Sequence, residues 1–516
     1  MARQKSEDPV VPQGRRKSPP IARHERGGKG VPVDQGMGQP ELPFATAENP
    51  KGANRTSPPV QADRRVSQVV PKADVLNEKT PSTAMEKVVG CLDEALDHVA
   101  RNKGAPGADG LTIEAVQRDW PRVRSRLSRH LLANTYRPGP ARRKEIAKPG
   151  GGVRQLSIPN VVDRVVQEAM RLVLQPSFEP DFHSSSHGFR PKRSCHTALA
   201  EARIHVADGF TYVVDIDLSK FFDRVNHQRL LARVSRKVDD RILLRTLSRV
   251  IRSSVVLPDG VLTRTEEGVP QGGPLSPLLS NIVLDELDWE LSRRGHRFTR
   301  YADDVAIFVR SKRAGERVMQ SMTRFIEDRM RLLVNTTKSA VRRPDEGNYL
   351  GFRLVATPDG EVEVRLSDRS VKRAIARIKE LTPRNWGGRL ARCVARLNRY
   401  WDGWFAYFGV VSSSAHRDLQ TLDARARRRL RAIQLKQWKR KRTIVRRLNR
   451  MKYSKKVAQN VYRGRRSWWS LSFDGVVSSR LDHAWFAARG FVPLRERLRL
   501  RLLPKAAPAQ LSFEWG

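Results

Sequence analysis

The chain has few cysteines and no long hydrophobic run, and each shortage excludes a class of protein. Its 516 residues include three cysteines, Cys91, Cys195 and Cys393, and none belongs to a Cys-x-x-Cys pair. This spacing excludes a zinc ribbon and a disulfide framework, and it fits a reducing cytoplasm. No apolar run approaches the roughly 20 residues of a membrane-spanning helix, and the polar N-terminus lacks the apolar core of a signal peptide. We therefore predict a cytoplasmic protein without a membrane partner.

Acidic residues are scarce relative to basic ones. The chain has 54 Asp and Glu against 98 Lys and Arg, a formal net charge of +44. An enzyme of small metabolites gains nothing from such a charge, which repels itself. A polyanionic partner is the economical explanation, and nucleic acid is the first candidate. A membrane-surface binder or a merely soluble basic protein is the alternative.

Aromatic residues are nearly absent from residues 1–80. This segment holds 11 of the 31 prolines, one aromatic residue (Phe44), and no Trp or Tyr. It cannot bury enough apolar surface to offset the entropy lost on ordering. We predict a disordered, basic, proline-rich tail.

Residues 111–354 combine short strands with helices, which predicts an α+β fold. Apolar residues at helical spacing predict helices within residues 85–102, 113–132, 161–178 (ended by Pro176), 278–291 and 318–333, and the loop that contains Arg190 and Arg193 is expected to turn helical before residue 203. Alternating and β-branched runs predict strands at 144–147, 153–158, 212–216 and 349–354, and two strands around residues 301–304. The predicted domains are 1–80 (tail), 81–357 (strand-containing domain), 365–445 (helical domain) and 446–516 (basic nucleic-acid-binding extension).

The tetrapeptide Tyr301-Ala302-Asp303-Asp304 lies between two apolar runs, which predicts a hairpin with two carboxylates at its tip. Two adjacent like charges are unfavourable unless a cation neutralises them. Carboxylate oxygens favour a hard cation, most simply Mg²⁺. The arrangement predicts two-metal nucleotidyl transfer. The alternative is a polar turn in which the acids bind backbone N–H groups.

A third carboxylate is available on the strand at residues 212–216. Asp215 and Asp217 stand two residues apart, so in a strand they point to the same face, and either could complete the metal site. Phe221 and Phe222 follow. A bulky ring beside the sugar of an incoming nucleotide would clash with a 2′-OH, whereas core packing is the better expectation for at least one of the two rings.

Two further segments suit contacts with phosphate. Lys148 and Arg154 flank the turn of a predicted hairpin at Pro149–Gly152 and could clamp a triphosphate, although a charged surface hairpin is the simpler interpretation. The loop that contains Arg190 and Arg193 suits contacts with a template backbone. In the Gly- and Pro-rich segment 268–277, Gly272 would let the backbone approach a nucleotide closely.

Basic charge is concentrated in the C-terminal third. Residues 371–516 contain 36 Lys and Arg against 8 Asp and Glu, and eight of the ten tryptophans. Basic residues interleaved with aromatics offer phosphate contacts and stacking surfaces for unpaired bases, which suits structured RNA. Core packing is the ordinary role of a tryptophan, and we expect it for Trp401 and Trp404.

From about residue 80 onward the chain resembles reverse transcriptases encoded by group II introns. Eight blocks occur in family order: NKGAPGADG, KPGGGVRQLSIP, SHGFRPKRS, VDIDLSKFFD, GVPQGGPLSPLLSN, YADD, NTTKS and YLGF. The stretch around Trp401 and Tyr407 and the run ARARRRLRAIQLKQWKRKRT resemble the maturase domain of the same family. The resemblance implies a right-hand polymerase with fingers and palm, followed by an α-helical thumb and maturase domain.

The resemblance also implies residue roles. The family places its palm aspartate six residues before the acid of the FFD unit, here Asp223, which selects Asp217 over Asp215. The implied catalytic residues are Asp217, Asp303, Asp304 and Lys338, with the three aspartates binding two Mg²⁺ ions and Lys338 protonating pyrophosphate. The implied nucleotide-binding residues are Lys148, Arg154, Phe222, Gln271 and Gly272. The predicted nucleic-acid-binding residues are Arg190, Arg193, Tyr301, Arg428, Arg429, Lys439 and Arg440.

The expected partners are an RNA template, intron RNA, a DNA primer or target, and dNTPs. Many family members end in a zinc-bearing HNH endonuclease, whereas this chain shows neither cysteine pairs nor a His-Asn-His cluster after the maturase-like region. We therefore expect the bacterial subgroup without that endonuclease. Two alternatives are a non-catalytic RNA-binding splicing factor and a domesticated reverse transcriptase in defence or repair. The sequence leaves open which RNA is bound.

Overall fold

A computed structural model describes residues 83–147, 153–264, 266–463 and 467–502, all within the compact unit Glu78–Gly516. The predicted tail at 1–80, Lys148 and the turn at 149–152 lie outside the described residues. No helix in the described ranges has the length and apolarity needed to cross a membrane.

Helices make up most of the described chain. They are α1 (Ala84–Gly90), α2 (Leu92–Arg101), α3 (Ile113–Arg118), α4 (Trp120–Leu132), α5 (Val161–Phe178), α6 (Cys195–Ala207), α7 (His227–Val234), α8 (Arg241–Ile251), α9 (Ser276–Arg293), α10 (Lys312–Arg324), α11 (Asp368–Leu381), α12 (Leu390–Phe408), α13 (His416–Gln437), α14 (Lys441–Met451), α15 (Lys455–Tyr462), α16 (Trp468–Leu471), α17 (Gly475–Arg480), α18 (His483–Ala487) and α19 (Leu494–Leu502). The strands are β1 (Ala141–Ala147), β2 (Val153–Ile158), β3 (Tyr212–Asp217), β4 (Val255–Val256), β5 (Leu262–Thr263), β6 (Arg297–Tyr301), β7 (Asp304–Val309), β8 (Ala340–Arg342), β9 (Phe352–Ala356) and β10 (Val362–Leu366).

The strands form three sheets. The first has the order β2-β1-β4-β5, with β1 and β2 antiparallel and β1 parallel to β4. The second is the central sheet, β6-β7-β3-β8, in which every neighbouring pair is antiparallel. The third is the hairpin of β9 and β10. The predicted α+β class is confirmed, with every described strand before residue 367 and only helices among the described residues after β10.

The central sheet separates two hydrophobic cores. Alternate residues of β3 and β7 point to opposite faces, because side chains in a strand alternate. Val214 and Ile307 belong to the first core, with α1, α2, α5, α8 and α9. Val213 and Phe308 belong to the second core, with α6, β9, β10 and the C-terminal helices. The acidic ends of β3 and β7 therefore lie at the edge between the two halves of the protein.

The second core continues past the predicted boundary between residues 445 and 446. It contains Trp401 and Trp404 of α12, as expected for core tryptophans, and also Val477, Phe486 and Leu498 of the extension. Burial of apolar side chains from both segments in one core favours a common folding unit.

Several predicted elements differ from the structure at their ends. Helix α5 continues through Pro176 to Phe178, so the prediction that Pro176 ends the helix was wrong. A proline near the C-terminal end removes one backbone bond without displacing the turns before it. The predicted helix at 113–132 is broken at Asp119, and the one at 318–333 instead spans Lys312–Arg324 followed by a π-helical turn.

Candidate active site

The acidic hairpin has the shape that the sequence predicts. Tyr301 pairs with Asp304 across β6 and β7, which leaves Ala302 and Asp303 as a two-residue loop. Ala302 has a φ of +57°, which is unfavourable by roughly 1–2 kcal/mol for a residue with a Cβ. Surrounding contacts must therefore hold the loop in this conformation.

Arg300 supplies those contacts from inside the protein. Its side chain has no exposed surface and donates a hydrogen bond of 2.9 Å to the carbonyl oxygen of Ala302. The guanidinium also donates to both carboxylate oxygens of buried Asp288, at 2.7 and 2.5 Å, and to Asn281 Oδ1 at 3.0 Å. Asp288 and Asn281 belong to α9, so this helix holds the hairpin through one arginine.

The loop before α6 packs against the same hairpin. A Cβ on Gly188 would lie 2.1 Å from the backbone nitrogen of Ala302, so only glycine fits there. The His187 N–H donates to the Arg300 carbonyl oxygen at 2.8 Å. This part of the loop therefore positions the acidic hairpin.

Arg190 organises that loop and does not face outward. Its side chain is buried, pairs with Glu179 at 2.7 Å, and donates to the carbonyl oxygens of His183 and Ser186. The guanidinium has its partners inside the protein, which does not favour the predicted contact of Arg190 with a template backbone, and that contact stays a prediction. Arg193, also predicted as a template contact, donates to the carbonyl oxygen of Ser184 and is half-buried, and its role stays a prediction.

The strand register decides which acid of β3 stands beside the hairpin. Asp217 lies directly opposite Asp304, at the last position of the β3–β7 pairing. Asp215 lies one pleat further in, opposite Ala306 and Ala340. Burial, opposed by Arg342 and reinforced by Asp304, raises the pKa of Asp215 to about 6. Asp217 is therefore better placed than Asp215 to share a site with Asp304.

The three carboxylates interact electrostatically. Burial, followed by the charges of Asp303 and Asp217, raises the pKa of Asp304 to about 6, although the residue remains open to solvent on one side. Burial and Asp217 also raise the pKa of Asp303. Like charges in a partly enclosed site favour the neutral form unless a cation is present.

Lys338 supplies a cation to this site. Its turn is attached to the end of β3, since the Asn335 N–H donates to the Asp217 carbonyl oxygen at 2.8 Å and Ser339 Oγ accepts from the Asp217 N–H at 3.0 Å. Lys338 Nζ then lies 3.3 Å from Asp217 Oδ2. Lys338 and Arg369, in the first turn of α11, both oppose the rise in the Asp304 pKa.

The donor set has the chemistry of a magnesium site. Oxygen ligands and the mutual repulsion of Asp217, Asp303 and Asp304 suit a hard divalent cation. In the described part of the chain, however, no group of three or more His, Cys, Asp or Glu side chains is already arranged to hold a metal ion. The ammonium of Lys338 stands at Asp217 instead.

The β1–β2 hairpin reaches toward the acids. Arg154 is exposed on β2, and its charge opposes the rise in the Asp303 pKa, which places the guanidinium within electrostatic reach of that acid. The predicted strands are confirmed, but Lys148 lies outside the described residues and its role stays a prediction.

Phe221 and Phe222 differ in burial. Phe221 is buried in the first core, whereas Phe222 is half-buried and meets Phe221 edge-on, with ring centroids 5.2 Å apart. The Val269 N–H donates to the Phe222 carbonyl oxygen at 2.6 Å, so the Gly- and Pro-rich loop fixes this turn. Core packing is confirmed for Phe221, and the contact of Phe222 with a nucleotide stays a prediction.

Gly272 is required by a neighbouring strand. It has a φ of +123°, and a Cβ there would lie 2.7 Å from the Ser157 carbonyl oxygen. The Ser157 N–H donates to the Gln271 carbonyl oxygen at 2.8 Å, so the loop lies against β2. The close approach seen here is to protein, and nucleotide contacts of Gln271 and Gly272 stay predictions.

The predicted nucleic-acid contacts in the helical half differ in their availability. Lys439 and Arg440 are exposed, and Arg428 is half-buried. Arg429 uses its Nε to donate to Thr382 Oγ1 at 2.6 Å, which caps the end of α11. Tyr301, in the palm, is half-buried, and its nucleic-acid contact stays a prediction.

Sequence reasoning missed Arg300 and Arg369. Arg300 stands in an otherwise apolar strand pattern, and Asp288 stands in a largely apolar helix, so two charges in buried segments could have indicated a pair. Nothing in the sequence near Arg369 relates it to residue 304, because α11 reaches the palm only through the fold.

Two family models match the chain in succession. The family described as "Reverse transcriptase (RNA-dependent DNA polymerase)" matches residues 146–354, and the one described as "Group II intron, maturase-specific domain" matches residues 371–454. Protein YkfC of Escherichia coli is 33% identical over 316 residues, which cover 53% of this chain and 83% of YkfC. The chain belongs to the group II intron type of reverse transcriptase. The acids at 217, 303 and 304 therefore lie in the RNA-directed DNA polymerase domain of this reverse transcriptase.

Two other relatives of this reverse transcriptase are intron-encoded proteins. The group II intron-encoded protein LtrA of Lactococcus lactis is 36% identical over 202 residues, covering 38% of this chain and 32% of LtrA. The putative COX1/OXI3 intron 2 protein of Saccharomyces cerevisiae is 26% identical over 324 residues, covering 51% of this chain and 38% of the yeast protein. The chain thus spans about a third of the length of these two relatives.

Proposed function

We propose that this reverse transcriptase copies RNA into DNA with Asp217, Asp303 and Asp304 as ligands of two Mg²⁺ ions, and that its helical half binds group II intron RNA. The observation that carries the proposal is the pairing of Asp217 with Asp304 at the tip of the acidic hairpin. When bound, the two ions would activate a primer 3′-OH and stabilise the leaving pyrophosphate.

The protein's own residues contribute position and charge. The exposed guanidinium of Arg154, whose charge acts on Asp303, would bind the phosphates of a dNTP beside the acids. Lys338, at 3.3 Å from Asp217, is placed to donate a proton to pyrophosphate. Phe222 is only half-buried, so part of its ring remains available to the sugar of an incoming nucleotide. Phosphoryl transfer needs little covalent chemistry from the protein, so the residues contribute by positioning the substrates and by stabilising charge.

The proposed partners are an RNA template, a DNA primer or target, dNTPs and a structured intron RNA, all met in the cytoplasm. The match of residues 371–454 to the maturase-specific domain supports the intron partner. The excess of 36 Lys and Arg over 8 Asp and Glu in residues 371–516 supports binding of a polyanion there. A role in splicing alone is a second candidate, which the same maturase match favours.

The test removes the two hairpin acids. Asp303→Ala combined with Asp304→Ala should reduce primer extension on an RNA template by several orders of magnitude while RNA binding stays within about twofold. The matched control is Asp359→Ala with Glu361→Ala, which removes two exposed acids around the tip of the β9–β10 hairpin. Persistent cDNA synthesis by the first variant would contradict the site. Absent synthesis by the unmodified chain, together with faster splicing of an intron RNA, would favour the splicing candidate.

A further inference from the structure

Four side chains from three segments alternate as cation and ring on the surface of the helical half. The guanidinium carbon of Arg428, in α13, lies 4.1 Å from the ring centroid of Trp469 and 4.7 Å from that of Phe473. The guanidinium carbon of Arg384, just after α11, lies 4.6 Å from the Trp469 ring. We name these four residues the arginine–aromatic stack. Such contacts are attractive because cations favour the negative faces of aromatic rings.

The outer end of the stack is an open aromatic ring. Phe473 is 71% exposed, although rings of this size are usually buried. Its neighbours Leu471 and Val477 are fully buried in the second core, and the Phe473 N–H donates to the Ser470 carbonyl oxygen at 3.2 Å. The segment is therefore anchored on both sides of an exposed ring.

The cations of the stack lack acidic partners. In the ranges that the structure describes, neither Arg384 nor Arg428 forms an ion pair with a carboxylate. The acid next to the open ring, Asp474, caps α17 by accepting the N–H groups of Val476 and Val477. Arg428 Nε is buried without a hydrogen-bond partner, since the guanidinium packs against Trp469 and Phe473. Two uncompensated cations beside an exposed ring are complementary to a phosphate backbone with free bases.

We propose that the arginine–aromatic stack binds an unpaired segment of RNA, with a base on the open face of Phe473 and the flanking phosphates at Arg384 and Arg428. Every base has a flat π-surface, so such a surface binds unpaired bases with little sequence preference. Bases inside a duplex have both faces covered by their neighbours and cannot reach the ring. The proposal extends the RNA-binding part of the proposed function, because Arg384 and Arg428 lie within the maturase-specific match.

The experiment compares two substitutions of one residue. The probe is a fluorescent 12-nucleotide oligouridine RNA, added to the full chain with the palm already occupied by a blunt RNA–DNA primer–template duplex. Phe473→Leu keeps an apolar side chain but loses the ring, and it should weaken binding of the probe about five- to tenfold. Phe473→Trp keeps a ring and should bind within about twofold of the unmodified chain. Arg384→Gln should weaken binding, and the slope of log affinity against log salt should fall by the equivalent of about one phosphate contact.

The controls separate this proposal from the polymerase assignment. Both Phe473 variants should keep the unmodified rate of primer extension and the unmodified melting temperature, because the Phe473 side chain is exposed and its ring contact is with Arg428 of α13. Equal binding of the probe by the Leu and Trp variants would overturn the stacking contact. Binding of oligothymidine DNA as tightly as the RNA would overturn the assignment to RNA, and equally sensitive binding of a blunt RNA duplex would overturn the requirement for unpaired bases. Loss of primer extension in the unmodified chain would contradict the polymerase assignment without affecting these outcomes.

Discussion

Arg300 is the single residue on which the acidic hairpin depends most. It connects the carbonyl oxygen of Ala302, in the hairpin loop, to the buried carboxylate of Asp288 and the amide oxygen of Asn281, both in α9. A fully buried charge persists only when it is paired and hydrogen-bonded, and here both conditions are met. The position of the candidate acids therefore depends on a side chain that is itself fully buried.

Arg300→Met should lower the free energy of unfolding by about 3–5 kcal/mol, because it leaves Asp288 buried without a partner. Arg300→Met combined with Asp288→Leu should recover most of that loss, since an apolar pair has no charge to compensate. Primer extension by the double variant should nevertheless stay at least tenfold low, because the Ala302 carbonyl oxygen has lost its donor. Urea unfolding and single-turnover extension measure the two effects. Full activity in the double variant would show that the hairpin holds its shape without Arg300.

The buried carboxyl group of Asp163, in α5, makes the stability of the protein depend on pH. Asp163 accepts a hydrogen bond of 2.6 Å from Tyr136 Oη, and burial raises its pKa to about 7. An unfolded aspartate has a pKa of about 3.9, so the folded state retains the proton more strongly. The contribution of this group to stability is therefore complete below about pH 4 and declines as the pH rises to about 7.

Asp163→Asn removes the titration but keeps a similar shape. The stability of the unmodified chain relative to this variant should fall between about pH 4 and pH 7, by at most roughly 4 kcal/mol, and stay level above. Urea unfolding midpoints of both chains, measured across this pH range, show how their difference in stability changes with pH. The test depends on this change and not on the size of the difference at any one pH. Exposed Asp359→Asn is the control and should follow the profile of the unmodified chain. A parallel profile for Asp163→Asn would contradict the raised pKa.

At the scale of elements, the β1–β2 hairpin carries an arginine on each of its two faces. Arg154 pairs with Ile146 and Arg143 pairs with Ser157, so the two arginines stand on opposite faces of the hairpin. The charge of Arg154 opposes the rise in the Asp303 pKa. The hairpin therefore provides its own matched control for a phosphate contact.

Arg154→Gln should raise the KM for dNTP about tenfold with little change in kcat, because it removes a charged contact to the triphosphate. Arg143→Gln removes the same charge from the other face and should leave both constants within about twofold. Steady-state primer extension over a range of dNTP concentrations gives the two values. Equal effects of the two substitutions would indicate general electrostatic attraction by the hairpin.

At the scale of the whole molecule, exposed basic residues occur both in the helical half and on α10. Lys439 and Arg440 are exposed in the helical half, whereas Arg313 and Arg317 are exposed on α10. Helix α10 packs on the face of the sheet that belongs to the first core, since Gly315 lies against Val214 and Val341. The two pairs carry the same charge on opposite sides of the palm.

RNA affinity should fall steeply with salt, because binding releases counterions in proportion to the phosphates contacted. Lys439→Gln with Arg440→Gln should reduce the slope of log affinity against log salt by about 1.5–2. Arg313→Gln with Arg317→Gln should leave it unchanged. Fluorescence anisotropy between about 50 and 300 mM salt measures the slopes. Equal slopes for both variants would place the RNA on both sides of the palm.

Local order in this protein follows from the sequence. Alternation of apolar and polar residues predicts β1, β2, β3 and the β6–β7 hairpin, because a strand's side chains alternate whatever packs against it. The composition of residues 371–516 likewise indicates a basic helical half. The sequence places Asp303 and Asp304 at a hairpin tip and offers Asp215 or Asp217 as the third acid, and the family resemblance favours Asp217.

Only the tertiary structure decides how these parts meet. The register of β3 on β7 sets Asp217, and not Asp215, beside Asp304. The side chain of Arg190 points inward because it pairs with Glu179. Residue 272 must be glycine because a Cβ there would collide with the carbonyl oxygen of Ser157. Pairings between residues far apart in sequence depend on the packing of whole elements, which neighbouring residues do not encode. The sequence by itself therefore determined the local elements and the acids they carry, whereas the fold determined which acids meet, what holds them, and how Arg384, Arg428, Trp469 and Phe473 form one surface.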